Sequence, residues 1–307
     1  MYDLIIVGGG PAGSSAAVYA ARKQLKTLFV TFEWGGQSTV SPDIQNWIGE
    51  KNISGGELAK KLREHVESYT GDFLTILSPK KASSFSADDE KVVVTLDDGS
   101  KHEGRTLLIT TGADRRKLNV PGAKEFDQKG LTYCASCDGP LFSGQDVVVI
   151  GGGNAGFETA AQLLAYVKSV TLLHRGDAFK ADQITTKKVL SHPNMTGLLN
   201  AKPTEILGDK FVTGVKYKDT KTSEEKTLDV TGVFVEIGLV PNTGWLGDSV
   251  EMTDYKQVKV DHRTQKSCHA RVWAAGDVTN AAYHQNNIAA GDAVKAVEDI
   301  YLYLHSR

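Results

Sequence analysis

Cys134 and Cys137 stand three positions apart, and Asp138 follows them directly. Two thiols at this spacing can form a reducible disulfide, here with an acidic side chain immediately beside it. The alternative is half of a zinc site, but a structural zinc ion needs four ligands. Because the one other cysteine, Cys268, stands alone with His269, the sequence favours redox chemistry and predicts no metal site.

A glycine-rich turn occurs twice, at Gly8–Gly13 and at Gly151–Gly156. Each copy follows an aliphatic run and precedes an apolar helical pattern, which is how a βαβ dinucleotide-binding unit begins. The first glycine permits a tight turn, the second lets a pyrophosphate approach the backbone, and the third lets helix and strand pack closely. A turn without a ligand is the alternative for a single copy, but two copies in register indicate two binding units. The expected contacts are Gly8, Gly10, Pro11, Ala12 and Gly13 in the first copy, and Gly151, Gly153, Asn154, Ala155, Gly156 and the helical Glu158 in the second.

A further strand and turn, Val272–Asp277, follows the second unit and has no counterpart in it. We therefore expect the chain to return to the first domain, which makes the second domain an insertion. The predicted architecture is an α/β fold of two Rossmann-like, three-layer dinucleotide-binding domains. Residues 1–115 and 246–307 form the first domain, and residues 116–245 form the second, which carries the cysteine pair.

Charged side chains lie where each unit would select its ligand. Glu33 lies 20 residues after Gly13, where an acid can accept hydrogen bonds from ribose hydroxyls. The corresponding strand of the second unit ends in His174 and Arg175, and a cation there suits a 2′-phosphate, which favours NADPH over NADH. The alternative is an ordinary solvated strand end. Asp277 either accepts a hydrogen bond from a flavin ribityl hydroxyl or serves only as a turn or cap residue.

The charge balance is nearly even, with 35 Lys and Arg against 37 Asp and Glu. No broad basic face therefore indicates a nucleic-acid partner. No apolar run approaches the roughly 18 residues of a membrane span, and the N-terminus has no secretory signal pattern. We expect a soluble, cytoplasmic protein with no membrane partner.

With these motifs, the chain resembles the low-molecular-weight thioredoxin reductases over essentially its whole length. The motif of Cys134 and Cys137 with its trailing Asp-Gly, inside the second domain, is the most specific point of likeness. The other motifs that carry the resemblance are Gly8–Gly13, Gly35–Gln37, Asn46–Gly49, Thr111–Ala113, Gly151–Glu158, His174–Arg175, Gly238 with Pro241–Asn242, Ala275–Asp277 and Tyr283–Gln285.

The resemblance implies FAD on the first domain and a nicotinamide nucleotide on the inserted one. Besides the first glycine turn, the implied FAD contacts are Glu33, Gly36, Gln37, Asn46, Thr111, Gly112, Ala113, Gly276, Asp277, His284 and Gln285. Besides the second turn, the implied nucleotide contacts are Glu158, His174, Arg175, Lys180, Ile237 and Gly238.

The resemblance also implies roles for the catalytic residues. Cys137 would face the flavin, Cys134 would attack the substrate disulfide, and Asp138 would act as acid and base. The implied partner is thioredoxin or a thioredoxin-like protein, and the implied assembly is a homodimer. Alternation between two domain orientations is expected, since the cysteines and the nicotinamide share one domain.

Some positions depart from the family pattern. The family has a second arginine where Gly176 stands, and Lys180 replaces a further arginine, which keeps the charge but loses bidentate geometry. The stretches Phe179–Gln183 and Glu236–Thr243 also resemble the flavoprotein component of alkyl hydroperoxide reductase, an NADH-using relative with an extra N-terminal thiol domain that is absent here. NADPH is therefore favoured, with NADH as the alternative. His284 stands where an arginine is common beside the flavin, so its charge there depends on pH.

Two other functions are open. The first is a reductase fed by ferredoxin or another donor and serving a different thiol protein; the intact Gly151–Gly156 turn and Arg175 argue against it. The second is a flavin-binding or nucleotide-sensing module without turnover. The presence of both cysteines and of Asp138 argues against that module.

Overall fold

The computed structural model describes residues 1–41 and 44–306. The chain divides into two compact units, Met1–Asp114 with Val240–Arg307, and Arg115–Leu239. The inserted unit ends six residues before the expected position 245. The reason is that Trp245 packs edge-on against Phe85 of the first unit, with 5.7 Å between ring centroids, and Leu246 is buried in the same core.

In the described part of the first unit, seven strands form one sheet in the order β3-β2-β1-β6-β5-β4, and β17 also pairs with β6. The strands are β1 Tyr2–Gly9, β2 Thr27–Trp34, β3 Leu74–Leu77, β4 Ala82–Ala87, β5 Val92–Leu96, β6 Lys101–Ile109 and β17 Val272–Ala274. The helices are α1 Pro11–Arg22, α2 Gly55–Glu67, α6 Asn286–His305 and a 3-10 turn at Gly36–Val40.

The central strand β1 is aliphatic on both faces because both faces are covered. Leu4, Ile5 and Ile6 are each fully buried. Leu4 and Ile6 pack with the alanines of α1 and α6, whereas Ile5 packs on the side of β4 and β5. A continuous apolar run of this kind is typical of a parallel strand between two layers. The packing thus places the glycine turn at the carboxyl end of the central strand.

The second unit contains a five-stranded sheet in the order β11-β10-β9-β15-β8, and every neighbouring pair is parallel. Its strands are β8 Leu131–Thr132, β9 Asp146–Ile150, β10 Ser169–Leu173, β11 Met195–Leu198 and β15 Gly232–Val235. An antiparallel sheet consists of β12 Ala201–Gly208, β13 Val212–Asp219 and β14 Glu225–Asp229. Where the chain passes between the units, β7 Ala113–Arg115 pairs with β16 Leu239–Pro241. The helices are α3 Ala135–Asp138, α4 Asn154–Leu163, α5 Gln183–Leu190 and a 3-10 turn at Gly139–Phe142.

None of the helices in residues 1–41 and 44–306 combines the length and the apolar character that a bilayer crossing needs.

Candidate active site

The first glycine turn joins β1 to α1 with almost no space around two of its glycines. Gly8 has a φ of +122°, and a Cβ atom there would overlap the carbonyl oxygen of Thr110. A Cβ atom at Gly13 would overlap the carbonyl oxygen of Gly8. Only glycine fits these two positions, because the obstacle in each case is backbone. The tight turn and the close helix packing that the motif predicts are therefore both present.

The space beside Gly10 is open by comparison. A Cβ atom at Gly10 would approach only the Cα of Gly36, at 4.0 Å, among the described residues. Gly10 caps α1, and in the described part of the chain no side chain accepts a hydrogen bond from the first turn of this helix. Pro11 and Ala12 begin the helix. Exposed amide donors at a helix start can bind a pyrophosphate.

Two further segments approach this turn. The amide of Gly35 donates to the carbonyl of Gly9 at 2.8 Å. This bond fixes the junction between β2, which carries the exposed Glu33, and the 3-10 turn, which carries the exposed Gln37. A Cβ atom at Gly276 would lie 3.3 Å from the Cβ of Ala12. The residues predicted from three separate motifs thus lie around one turn.

Polar side chains connect Asn46 to the start of α6. Asn46 Nδ2 donates to Gln285 Oε1 at 3.0 Å, and Asn287 Nδ2 donates to the carbonyl of Asn46 at 2.6 Å. Ser38 Oγ donates to Asn286 Oδ1 at 2.8 Å. Asn46 and Gln285 were expected at the site, whereas the other three residues were not. For Asn286 and Asn287, the one indication in the sequence is the run of polar residues at the start of a helix.

The pair Asp277 and His284 lies in the turn before α6. The Nδ1 atom of His284 is 3.4 Å from Asp277 Oδ1, which is within ion-pair distance but outside hydrogen-bond geometry. Thr111 Oγ1 donates to the carbonyl of Asn242 at 2.8 Å, and the amide of Asn242 donates to the carbonyl of Gly112 at 3.0 Å. The segment Thr111–Ala113 is therefore held by Asn242, a residue of one of the motifs that carry the resemblance, for which no contact was predicted.

The second turn repeats the first. A Cβ atom at Gly151 would overlap the carbonyl oxygen of Glu236, and one at Gly156 would overlap that of Gly151. Gly153 has no described atom within 4 Å of its Cβ direction, and it begins α4 without a side-chain cap among the described residues. Asn154 Oδ1 accepts from the amide of Asp182 at 2.8 Å, while Ala155 and Glu158 are exposed.

His174 lies beneath this turn and is only 9% exposed. A Cβ atom at Gly152 would lie 2.5 Å from His174 Cγ, and one at Gly176 would lie 2.9 Å from His174 Nε2. Burial lowers the pKa of the imidazole, and the charges of Lys180 and Arg175 act in the same direction. The hydrogen bond with the backbone of Ala178 and the charge of Asp177 oppose this shift, but the net effect disfavours the charged form of the imidazole.

Arg175 and Lys180 are exposed, and the backbone amide of Lys180 donates to the carbonyl of Gly152 at 2.7 Å. These two side chains are therefore the cations of this strand end. His174, by contrast, packs in the interior, and its burial disfavours the charged form of the ring.

Cys134 and Cys137 form a disulfide. Both are half-buried, and they follow β8, the edge strand next to β15. The backbone amide of Cys137 donates to Cys134 Sγ at 3.2 Å. A donor at this position stabilises negative charge on Cys134 once the disulfide is reduced.

Asp138 is 7% exposed and lies beside the disulfide. Its carboxylate accepts a hydrogen bond from Thr132 Oγ1, and Thr132 Oγ1 accepts from the amide of Cys134 at 3.3 Å. The amide of Asp138 donates to the carbonyl of Cys134 at 3.1 Å. Thr132 therefore connects the carboxyl group to the first cysteine. No sequence pattern indicated a role for Thr132, although it stands only two positions before the motif.

The segment after β15 completes the second unit's site. Gly238 has open space around its Cβ direction in the described chain, and its carbonyl accepts from the amide of Arg116 at 3.0 Å. Ile237 is half-buried against the neighbouring core. Among the described residues, no group of three or more His, Cys, Asp or Glu side chains could hold a metal ion.

The family model described as "Pyridine nucleotide-disulphide oxidoreductase" matches residues 2–295. The F component of alkyl hydroperoxide reductase from Staphylococcus aureus (strain NCTC 8325 / PS 47) is 41% identical over 99% of this chain and 59% of its own length. NADH dehydrogenase of Bacillus subtilis (strain 168) is 42% identical over 99% of this chain and 58% of its own length. The chain thus spans about three-fifths of the length of these curated relatives.

Two solved structures match nearly the whole chain. Thioredoxin reductase from Streptococcus pyogenes MGAS5005 has a TM-score of 0.91 and 32% identity, covering 100% of this chain and 99% of that one. Thioredoxin reductase from Giardia duodenalis has a TM-score of 0.93 and 30% identity, covering 99% and 98%. The expected resemblance to thioredoxin reductases and the expected α/β fold class are confirmed.

Proposed function

Because this chain belongs to the pyridine nucleotide-disulphide oxidoreductase family, we propose that it reduces its Cys134–Cys137 disulfide with electrons from a nicotinamide nucleotide. FAD serves as its cofactor, and the dithiol then reduces the disulfide of a small thiol protein. The observation that carries the proposal is the disulfide, which lies at the end of a strand in the same sheet as an open glycine turn. This arrangement supports electron supply and disulfide exchange in one protein.

The family implies FAD and a pyridine nucleotide, and the first unit fits a flavin dinucleotide. The facing glycines Gly10 and Gly36 leave a cradle without side chains, and the uncapped start of α1 offers amide donors to phosphates. Glu33 would hold the ribose, and Asp277 would hold the ribityl chain. When bound, FAD supplies the two-electron chemistry between the nicotinamide and the disulfide.

Cys134 and Cys137 have different roles in the thiol–disulfide exchange with the partner protein. Reduction of the Cys134–Cys137 disulfide consumes two electrons and two protons. The Cys134 thiolate, stabilised by the Cys137 amide, attacks the partner's disulfide and displaces one partner thiolate. Cys137 then attacks Cys134, which releases the second partner thiolate and restores the intramolecular disulfide. Asp138, positioned by Thr132, exchanges protons with the thiols.

NADPH is the proposed electron donor, on the strength of the exposed cations Arg175 and Lys180. NADH is the second candidate. The burial of His174 favours NADH, because it disfavours the positive charge that His174 would contribute toward a 2′-phosphate.

If Arg175 and Lys180 bind a 2′-phosphate, replacing both with glutamine should raise the KM for NADPH by at least roughly tenfold. The KM for NADH should stay within about twofold, since NADH lacks the phosphate. Lys221→Gln, which removes an exposed charge from the hairpin after β13, is the matched control. A wild-type protein that already prefers NADH, with a double variant indifferent to the phosphate, would assign NADH as the donor.

The proposed partner is thioredoxin or a thioredoxin-like protein, as the names of the two solved structures suggest. The alternative, suggested by the Staphylococcus relative, is the thiol protein of an alkyl hydroperoxide reductase. A cytoplasmic location and a homodimeric assembly stay predictions.

Anaerobic stopped-flow reduction tests this function. The flavin of the purified protein should bleach with NADPH or NADH, and oxidised thioredoxin should then restore the flavin absorbance. A flavin that neither nucleotide reduces would contradict the proposal and favour a ferredoxin-type donor. Reduction by nucleotide without reoxidation by thioredoxin would leave the alkyl hydroperoxide partner as the candidate.

A further inference from the structure

Glu236 lies at the second glycine turn and has no part in the function described so far. It follows β15 directly, and its amide donates to the carbonyl of Ile150 at 2.8 Å. Its own carbonyl lies against Gly151, where a Cβ atom would overlap it. The backbone of Glu236 is thus fixed against the first residue of the turn.

The side chain of Glu236 is held as well. Its Oε1 accepts a hydrogen bond from Thr159 Oγ1 of α4 at 2.9 Å. Burial raises the pKa of this carboxyl group; Arg115 of β7 and the bond from Thr159 oppose the rise, and Glu158 of α4 adds to it. Glu236 therefore titrates closer to neutrality than an exposed glutamate does.

The fold does not require a carboxyl group at this point, as the first unit demonstrates. There the residue that follows β6 and lies against the first turn glycine is Thr110. Its hydroxyl donates to the carbonyl of Val7 at 2.8 Å and completes the backbone of the turn. The repeated design thus accepts a neutral residue at the position that Glu236 occupies.

The strand order assigns Glu236 to one half of a bound dinucleotide. In a doubly wound sheet the ligand crosses the carboxyl ends of the strands, with its pyrophosphate at the glycine turn. β10 lies on one side of β9 and is followed by His174, where the adenosine phosphate would be selected. β15 lies on the other side of β9. The carboxyl group after β15 therefore belongs to the nicotinamide half.

We propose that the Glu236 carboxylate makes this site select between the two redox forms of the nicotinamide, by favouring the cationic oxidised ring over the neutral reduced ring. Glu236 acts as a positioning and charge-selecting residue, and this inference rests on the proposed nucleotide-binding function. A carboxylate near the ring attracts the charge that appears as the nucleotide gives up its hydride, whereas the neutral reduced ring gains nothing from it.

Glu236→Gln tests the inference, because glutamine keeps an oxygen that can accept from Thr159 and removes only the charge. The dissociation constant of the oxidised nucleotide is measured on the oxidised protein and that of the reduced nucleotide, anaerobically, on the fully reduced protein, so that no hydride is transferred. Nicotinamide fluorescence and competition give the two constants, and thermal unfolding checks the fold. The variant should bind the oxidised nucleotide roughly tenfold more weakly and the reduced nucleotide within about twofold of wild type. Glu224→Gln, at an exposed carboxylate of the same unit, should leave both constants unchanged.

The pH dependence of the wild-type protein supplies a second measurement that needs no variant. As pH rises through the raised pKa of Glu236, the carboxylate forms, so the ratio of affinities should shift toward the oxidised nucleotide. In Glu236→Gln the ratio should stay flat over the same range. Equal affinity ratios in wild type and variant, with both nucleotides bound, would overturn this inference and leave the proposed function intact. Failure of the wild type to bind either nucleotide would overturn the proposed function instead, and this inference with it.

Discussion

Cys134→Ser is expected to abolish reduction of protein disulfides while nucleotide-dependent reduction of the flavin continues at the wild-type rate. The loss should be at least about a thousandfold, because the attacking thiol is gone and a serine hydroxyl cannot replace it. The glycine turns, Asp138 and Cys137 are unchanged in this variant. Stopped-flow absorbance of the flavin and steady-state reduction of thioredoxin separate the two half-reactions.

Cys268→Ser is the matched control for this variant. Cys268 is an exposed free thiol whose sulfur accepts from the amide of Glu251 at 3.2 Å, so its loss should change neither half-reaction. In Cys134→Ser the remaining Cys137 thiolate should give a long-wavelength absorption band with oxidised flavin. Appearance of that band in Cys137→Ser, and its absence in Cys134→Ser, would reverse the roles assigned to the two cysteines.

Sequence patterns predicted those parts of the molecule whose chemistry is local. The two glycine turns could be predicted because each needs glycine at fixed spacing. In the structure, a Cβ atom at Gly13 or Gly156 would overlap a backbone carbonyl oxygen. The disulfide could be predicted because Cys134 and Cys137 are three positions apart.

Contacts between residues distant in sequence could not be predicted in the same way. Thr159 and Glu236 are separated by 77 positions, and Thr111 and Asn242 by 131. Nothing in the local pattern of either pair indicates its partner. The burial of His174 could not be predicted for a related reason, because it depends on the missing side chain of Gly152 in the turn that packs against the ring. Residue type alone suggested a cation, whereas burial lowers the pKa of the imidazole and disfavours its charged form.

Two glycines of the first turn have different functions: Gly13 is needed for the stability of the fold, and Gly10 for the binding of FAD. Gly13→Ala should destabilise the first unit, since its Cβ would overlap the backbone oxygen of Gly8, which cannot rotate away as a side chain can. We expect a cost of about 3 kcal/mol or more and a fall in Tm of roughly 6–12 °C in the protein stripped of FAD.

Gly10→Ala is the matched substitution one helical turn earlier, and it should affect the ligand rather than the fold. Its Cβ meets only the Cα of Gly36 at 4.0 Å, so the Tm without FAD should fall by at most a few degrees. The added methyl group instead occupies the cradle in which a pyrophosphate would approach the backbone, so FAD affinity should fall at least roughly tenfold. Thermal unfolding without FAD gives the Tm of each of the two variants, and FAD titration by fluorescence quenching gives the dissociation constant of each. If Gly10→Ala binds FAD as tightly as wild type, the pyrophosphate does not lie against this turn, and the assignment of FAD to the first unit fails.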